Sequence, residues 1–250
     1  MDKEDIYSDY DDFAWFYNHY WGNITAYSPM LDVLERLLFS RLPAHAKVLD
    51  VCCGTGRLAA ALVERGLAVT GIDASARQLE HARRNAPGAE FIHADARSFA
   101  LPAEYDAALS VFDSLNHILT PEGLGRAFAN VCGALVPGGH FLFDLNMEEG
   151  LSKHWRGFKA QVEDDNALIM RLAYDPEERM ARADTTMFRL EDEAWRRSDT
   201  SLTQTAYPEE EIVASLLRCG FEGISTSEAI EELGRPMGED RTFFLARKPA

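Results

Sequence analysis

The stretch that most constrains this chain is VLDVCCGTGRLAAAL, from Val48 to Leu62. An apolar run through Val48, Leu49 and Val51 meets a turn of small residues, Cys52-Cys53-Gly54-Thr55-Gly56. Leu58, Ala61, Leu62 and Arg65 then recur near helical spacing. Strand, glycine turn and helix start form a cradle. Glycine lets backbone approach a ligand closely, and the unpaired N–H groups of a first helical turn favour a negative group.

Two ligand classes fit the turn taken alone. Gly54-x-Gly56-x-x-Ala59 satisfies the dinucleotide fingerprint, with an acid about 20 residues further on. Asp50 argues against a pyrophosphate. It stands where the strand ends, four residues before Gly54, and its charge suits a cationic group better. An acid, a helix start and a second acid together suit a ligand with an ammonium, a carboxylate and a ribose. S-adenosylmethionine has all three.

From Lys47 onward, strand and helix patterns alternate, the signature of an α/β fold with a parallel sheet covered on both faces. The second strand, Leu67–Ile72, ends at Asp73, where a carboxylate can accept both ribose hydroxyls. Ser75 is the expected cap of the next helix, which stops before Pro87-Gly88. A third strand (Glu90–Ala94) ends in Asp95-Ala96, and a fourth (Tyr105–Val111) opens into Phe112-Asp113-Ser114-Leu115-Asn116-His117. Thr120-Pro121 starts a helix, and Pro137-Gly138-Gly139 is expected to turn the chain into strand five, His140–Leu145. Ligands of parallel α/β sheets lie outside the carboxyl ends of strands, where Asp50, Asp73, Asp95, Asp113 and Asp144 all fall.

The alternation breaks after residue 146. Phe158–Thr205 reads as antiparallel strands, with Leu168, Met170, Leu172 and Tyr174 at period two and turns at Asp164-Asp165-Asn166 and Asp175-Pro176. A helix at Pro208–Cys219 and strands near Ile224–Ile230 and Arg241–Arg247 return to the main sheet. Ahead of the core, Ile6, Tyr10, Phe13, Tyr17 and Tyr20 share one helical face. That face either packs on the core or closes over a ligand. The organisation expected is a single domain over 1–250. It comprises an N-terminal helical cover (1–45), a cofactor-binding core (46–146), an antiparallel β insertion (147–207) and a C-terminal helix with two strands (208–250).

A formal charge of −16 weighs against nucleic acid as a partner, because phosphate binding needs clustered Lys and Arg. Cys52, Cys53, Cys132 and Cys219 lack metal-ligand spacing and read as free thiols, so no metal site is expected. With neither a signal peptide nor a membrane-spanning run, the expected location is the cytoplasm.

Five segments in order resemble the class I S-adenosylmethionine-dependent methyltransferases: VLDVCCGTG, VTGIDAS, FIHADARSF, YDAALSVFDSLNHI and LVPGGHFLFDLN. The resemblance implies a Rossmann-like, seven-stranded, mostly parallel sheet with helices on both faces, the last strand antiparallel and inserted beside strand five. It implies S-adenosyl-L-methionine as cofactor. Asp50, Gly54 and Gly56, with Thr55, match positions around the methionine part. Asp73, with Ala74, matches the ribose site, Asp95 and Ala96 the adenine contacts, and Phe112 the cofactor lining. Cys52 departs from the glycine or alanine usual at its position.

The aromatic N-terminus and the insertion are similar to the small-molecule branch, which includes glycine and amino-sugar N-methyltransferases. In the amino-sugar enzymes a histidine falls at His117 and a tyrosine near Tyr17, making these two the candidate catalytic residues. A histidine simply satisfied by backbone hydrogen bonds is the alternative for His117. Asp113, Asn116 and Asn146 are candidate substrate-facing groups. Trp155, Phe158 and Trp195 are candidates for the acceptor pocket or for core packing. Asp113-Ser114-Leu115-Asn116 is not the Asn-Pro-Pro-aromatic pattern of nucleobase or glutamine methylation. The expected function is therefore methyl transfer to an amine or hydroxyl of a small molecule, with oligomeric state open. A methyltransferase of protein or RNA, or a non-catalytic nucleotide binder, is the alternative.

Overall fold

A computed structural model describes residues 8–22, 28–234 and 239–250. The first four parallel strands are β1 (Lys47–Val51), β2 (Ala68–Asp73), β3 (Glu90–His93) and β4 (Tyr105–Ser110). They are followed by β5 (Leu135–Asn146) and, near the C-terminus, β10 (Glu222–Glu228) and β11 (Arg241–Arg247). Their order in the sheet is β10-β11-β5-β4-β1-β2-β3. β11 runs antiparallel between β10 and β5, pairing Phe243 with Asp144 and Arg241 with Asn146. This is the seven-stranded arrangement expected. β1 and β4 are near-continuous buried runs because both faces of a parallel sheet are covered.

Helices α3 (Arg57–Glu64), α4 (Ala76–Asn85) and α5 (Pro121–Ala134) make the crossovers. Ser75 Oγ accepts the N–H of Gln78 and Thr120 Oγ1 that of Gly123, so both expected caps form. On one face Phe128, Phe141, Phe143 and Phe244 pack together, with α7 (Glu209–Arg218) outside them. On the other, α2 (Ser28–Leu37) and α3 bury Met30, Leu34, Leu58 and Leu62.

Pro137-Gly138-Gly139 does not precede strand five but lies within it. The β4–β5 register shifts between Tyr105 and Ala107, and Gly138, at φ +80°, donates its N–H to the Lys248 carbonyl. The left-handed glycine makes a bulge rather than a turn.

A short helix, α6 (Glu148–His154), with no counterpart in the sequence reading, leads from β5 into the insertion. The insertion itself is a four-stranded antiparallel sheet of β6 (Gly157–Val162), β7 (Asn166–Asp175), β8 (Met180–Glu191) and β9 (Ala194–Thr205). Its inner face carries Leu168, Leu172, Met187 and Leu202, which pack on Phe13 and Phe16 of α1 (Tyr10–Tyr20). Ile6, the start of the aromatic face, lies outside the described residues.

Burying each Phe side chain contributes roughly 1.5–3 kcal/mol, which fixes α1 between the inserted sheet and the core. Phe158 and Trp195 neither line a pocket nor enter a core: they are 78% and 53% exposed. Both stand on the outer face of the inserted sheet, opposite to Leu168 and Leu172. Trp155 does pack inward, against Leu151 and Ala181. No helix among the described residues is long and apolar enough to cross a membrane.

Candidate active site

The cradle is built by three left-handed residues in five. Cys52 (φ +60°), Gly54 (φ +54°) and Gly56 (φ +70°) reverse the chain between β1 and α3. A side chain at Gly56 would strike Ala82 at 2.9 Å, so both shape and φ require glycine there. Cys52 takes a conformation that glycine adopts more easily, the physical content of its departure from the family pattern.

Two carboxylates stand behind this turn. Asp73 accepts the N–H of Gly54 at Oδ2 and that of Ser75 at Oδ1, both at 2.8 Å, locking the turn to the end of β2. Asp50 is 3% exposed, and its Oδ2 has no hydrogen-bond partner among the described residues. Burial, reinforced by the charge of Asp73, pushes the Asp50 carboxyl up to about 8. An uncompensated buried carboxylate is costly unless a cation joins it.

In front of the turn lies a cleft of about 330 Å³ lined by Asp50, Gly54, Thr55, Arg57, Phe112 and Tyr17, among others. Tyr17 roofs it, its ring edge 3.7 Å from where a Cβ on Gly54 would stand. Arg57 Nε also lacks a partner among the described residues. Orphaned atoms of opposite charge, with a glycine turn between them, fit the ammonium and carboxylate of an amino-acid ligand.

The helix α1 is pinned over this cleft. Asp11 Oδ1 accepts from Ser75 Oγ and from the Arg77 N–H at 3.1 Å, supplying a carboxylate to the start of α4. Asn85 donates to Asn18 Oδ1 at 2.9 Å and to the Thr55 carbonyl at 2.8 Å. Of the aromatic face, Phe13 packs in the core and Tyr17 lines the cleft.

Beyond β4 the backbone is strained again. Phe112 (φ +62°) and Asp113 (φ +52°) are consecutive left-handed residues, held because Asp144 accepts both their N–H groups, at 2.6 and 3.1 Å. Arg241 bridges Asp113 and Asp144, and its guanidinium is only 14% exposed.

His117 ends the short 3-10 turn Ser114–His117. Its Nδ1 lies 2.8 Å from the Thr203 carbonyl and its Nε2 2.9 Å from the Tyr10 hydroxyl. A carbonyl only accepts, so Nδ1 carries the hydrogen and Nε2 presents its lone pair to Tyr10. Gln204 Nε2 donates to Asp113 and lies 3.2 Å from the same His117 nitrogen. Burial lowers the His117 pKa against the opposing pull of Asp113, keeping the ring neutral. Burial, then the charges of Asp113 and Asp73, raises that of Tyr10, keeping the phenol protonated.

Tyr17 and His117 have the Tyr10 ring between them, its centroid 6.0 Å from one and 5.2 Å from the other. Asn116 is fully buried and structural: it donates to the Asn146 and Thr205 carbonyls and accepts the Asn146 N–H. Asn146 donates to Gln204 at 3.3 Å. The Asp95 carboxylate is held by its neighbour Arg97, and Ala96 is buried in the core. Ala74 accepts from His93 through its carbonyl. Beside these candidates stand Arg57, Gln204 and Arg241, which the sequence reading does not single out, and Tyr10 of the aromatic face. Only Tyr10 carried a signal, two helical turns before Tyr17.

Residues 48–139 match the family model described as "Methyltransferase domain". YqeM of Bacillus subtilis (strain 168), named as a methyltransferase without a stated acceptor, is 28% identical over 222 residues, covering 87% of this chain and 90% of that one. The sugar N-methyltransferase KedS8 from Streptoalloteichus sp. shares the fold, with a TM-score of 0.77 at 21% identity over 95% of this chain and 93% of its own. Residues 48–139 are thus a methyltransferase domain, and the chain is similar to S-adenosylmethionine-dependent methyltransferases along most of its length.

A further relative of this methyltransferase is the Streptomyces venezuelae enzyme dTDP-3-amino-3,4,6-trideoxy-alpha-D-glucopyranose N,N-dimethyltransferase. It is 33% identical over 120 residues, 48% of this chain and 51% of that enzyme. The cofactor of the family is S-adenosylmethionine, and the cleft of this methyltransferase suits its methionine end.

Proposed function

We propose that this methyltransferase moves a methyl group to an amine or hydroxyl of a small-molecule acceptor, with nucleotide-linked amino sugars the first class to examine. The observation that carries this reading is the Tyr10–His117–Thr203 chain of hydrogen bonds. It ties α1, the segment after β4 and the inserted sheet together, so that the insertion covers this side of the core as a lid suited to a small acceptor. The amino-sugar N,N-dimethyltransferase and sugar N-methyltransferase relatives support the same class.

Bound S-adenosylmethionine supplies a methyl carbon activated by its sulfonium. In this reading Asp50 pairs with the methionine ammonium, and Gly54, Thr55 and Gly56 admit the methionine part closely. Asp73, beside Ala74, takes the ribose hydroxyls. Asp95 and Ala96 border the adenine, and Phe112 lines the cofactor. Tyr17 covers the cleft and excludes water. Alignment of the two reactants is the main catalytic contribution, on the order of 7–11 kcal/mol when geometry is well held.

The acceptor must also lose a proton. Tyr10 takes it at the phenolic oxygen while passing its own to His117 Nε2, and Thr203 holds the ring through Nδ1. The test is mass spectrometry after incubation with S-adenosylmethionine and a panel of nucleotide-linked amino sugars, free amines and small alcohols, with mixed RNA and protein as competitors. Transfer to a small amine or alcohol supports the reading. Transfer only to RNA or protein overturns it.

A further inference from the structure

We infer that Gln204, in the last strand of the inserted sheet, is a positioning residue for the reaction: its side-chain amide is held in one orientation that opposes a proton on Nε2 of His117. The inference rests on the proposal that Tyr10 and His117 take the acceptor's proton, and adds what keeps that histidine in its proton-accepting form.

Gln204 is 2% exposed and stands on β9 between Thr203 and Thr205. All three residues reach the turn after β4. The Thr203 carbonyl meets His117 Nδ1 at 2.8 Å, and the Thr205 carbonyl accepts from Asn116 Nδ2 at 2.8 Å. Gln204 Nε2 donates to Asp113 Oδ2 and lies 3.2 Å from His117 Nε2. Its Oε1 accepts from Asn146 Nδ2 at 3.3 Å.

Turning this amide over is costly. Arg241 donates to the other oxygen of Asp113, and a carboxylate paired in this way only accepts. The reversed amide would set its oxygen against that carboxylate and its NH2 against the Asn146 NH2. The nitrogen therefore stays on the side of Asp113 and His117, with one N–H for each. Because Nδ1 donates to Thr203, the lone pair on His117 Nε2 meets two donors, the Tyr10 hydroxyl and the Gln204 amide. A hydrogen on Nε2 would face both. The hydroxyl can rotate to accept it; the amide cannot.

The other groups around the ring pull in opposite directions. Burial disfavours the imidazolium, while Asp113 of the same turn, the Thr203 carbonyl and Asp9 ahead of α1 favour it. Arg241 of β11 offsets Asp113, and Tyr10 of α1 is the titratable group in direct contact. Gln204 acts twice against the charged ring, occupying one oxygen of Asp113 and aiming an N–H at Nε2. Since it belongs to the insertion, the seating of β9 on the core sets the state of the ring.

The experiment is a pH titration of the histidine rings of the full chain by long-range proton–nitrogen correlation NMR, in wild type, Gln204→Met and Asn146→Ala. The His117 signals are identified by their absence in His117→Gln. Wild type is expected to carry its hydrogen on Nδ1. In Gln204→Met, which keeps the side-chain shape, the His117 midpoint should rise by about one pH unit, a tenfold gain in proton affinity. Asn146→Ala frees the amide to turn and should give a smaller rise in the same direction, deciding the matter alone if Gln204→Met does not fold. A midpoint that is unchanged or lower in these variants, or an Nε2–H tautomer in wild type, overturns the inference. No acceptor is present in this measurement, so its result is separate from that of the base reading, which the methyl-transfer rate of His117→Gln judges.

Discussion

The Tyr10 hydroxyl lies 2.9 Å from Nε2 of His117, a hydrogen bond between residues 107 positions apart. Because His117 Nδ1 donates to the Thr203 carbonyl, the nitrogen facing Tyr10 is the basic one. The Tyr10 hydroxyl therefore donates to that nitrogen.

If this pair accepts the proton, His117→Gln lowers kcat by roughly 10²–10³-fold, the ordinary range for a positioned base. The loss is larger for a hydroxyl acceptor than for an amine, because a hydroxyl cannot attack well before losing its proton. Tyr10→Phe falls between the two. Steady-state rates across pH check this: the acidic limb belonging to His117 disappears in His117→Gln. A change below tenfold with that limb intact contradicts the base assignment.

Asp50 has a second consequence. Its carboxyl is raised from an ordinary 3.8 to about 8, so through that window the folded chain holds a proton that the unfolded chain has released. The folded state binds more protons, and its stability falls as pH rises from about 4 to 8. Asp50→Asn removes this penalty. In thermal melts of the free protein at pH 7.5 the variant is expected to be more stable by on the order of 5 °C, with the difference vanishing near pH 4. The same variant loses cofactor binding, the exchange of stability for function expected of a buried site charge.

Much of this site was legible because it is local in sequence. An apolar run, a turn with Gly54 and Gly56 and a helix start within fifteen residues specify β1, the cradle and α3 almost alone. Asp73 and the caps Ser75 and Thr120 followed from the same kind of short-range pattern. What was not legible depends on residues brought together by the tertiary fold. Gln204 reaches Asp113 across 91 positions and Arg241 reaches it across 128, and neither carries a local signature. The alternation of β6 and of the β8–β9 hairpin indicates strands but not which face turns inward. That is why Phe158 and Trp195 were expected in a pocket or a core and stand in solvent instead. Asn116 reads as a polar residue near the chemistry, but only the approach of β9 makes it a buried tie.

Arg241 lies between two carboxylates, one of them fully buried. Removing it in Arg241→Met leaves Asp144 without its counter-charge and is expected to destabilise the fold by about 3–5 kcal/mol. Burial raises the Asp144 pKa against the pull of Arg241, so without Arg241 the carboxyl protonates more readily and the loss shrinks toward acid pH. Adding Asp144→Asn should recover part of the stability. Urea unfolding at two pH values checks both points.

Asp11 fastens α1 to the start of α4 through Ser75 and the Arg77 N–H. Asp11→Ala is expected to leave the core intact while speeding release of S-adenosylhomocysteine by roughly tenfold, the scale of one charge-assisted hydrogen bond. Stopped-flow displacement measures the rate. Hydrogen exchange over residues 10–20 should rise in the same variant.

The most direct test of the account is calorimetry of S-adenosylhomocysteine binding at pH 6.5 in buffers of different ionisation enthalpy, with NADH as control. Asp50 begins protonated and must ionise to pair with the ligand ammonium, so binding should release about one proton. Wild type should bind S-adenosylhomocysteine with that release, Asp50→Asn should show neither, and NADH should not bind. Binding of S-adenosylhomocysteine with no proton exchange, or binding of NADH in its place, would contradict the account.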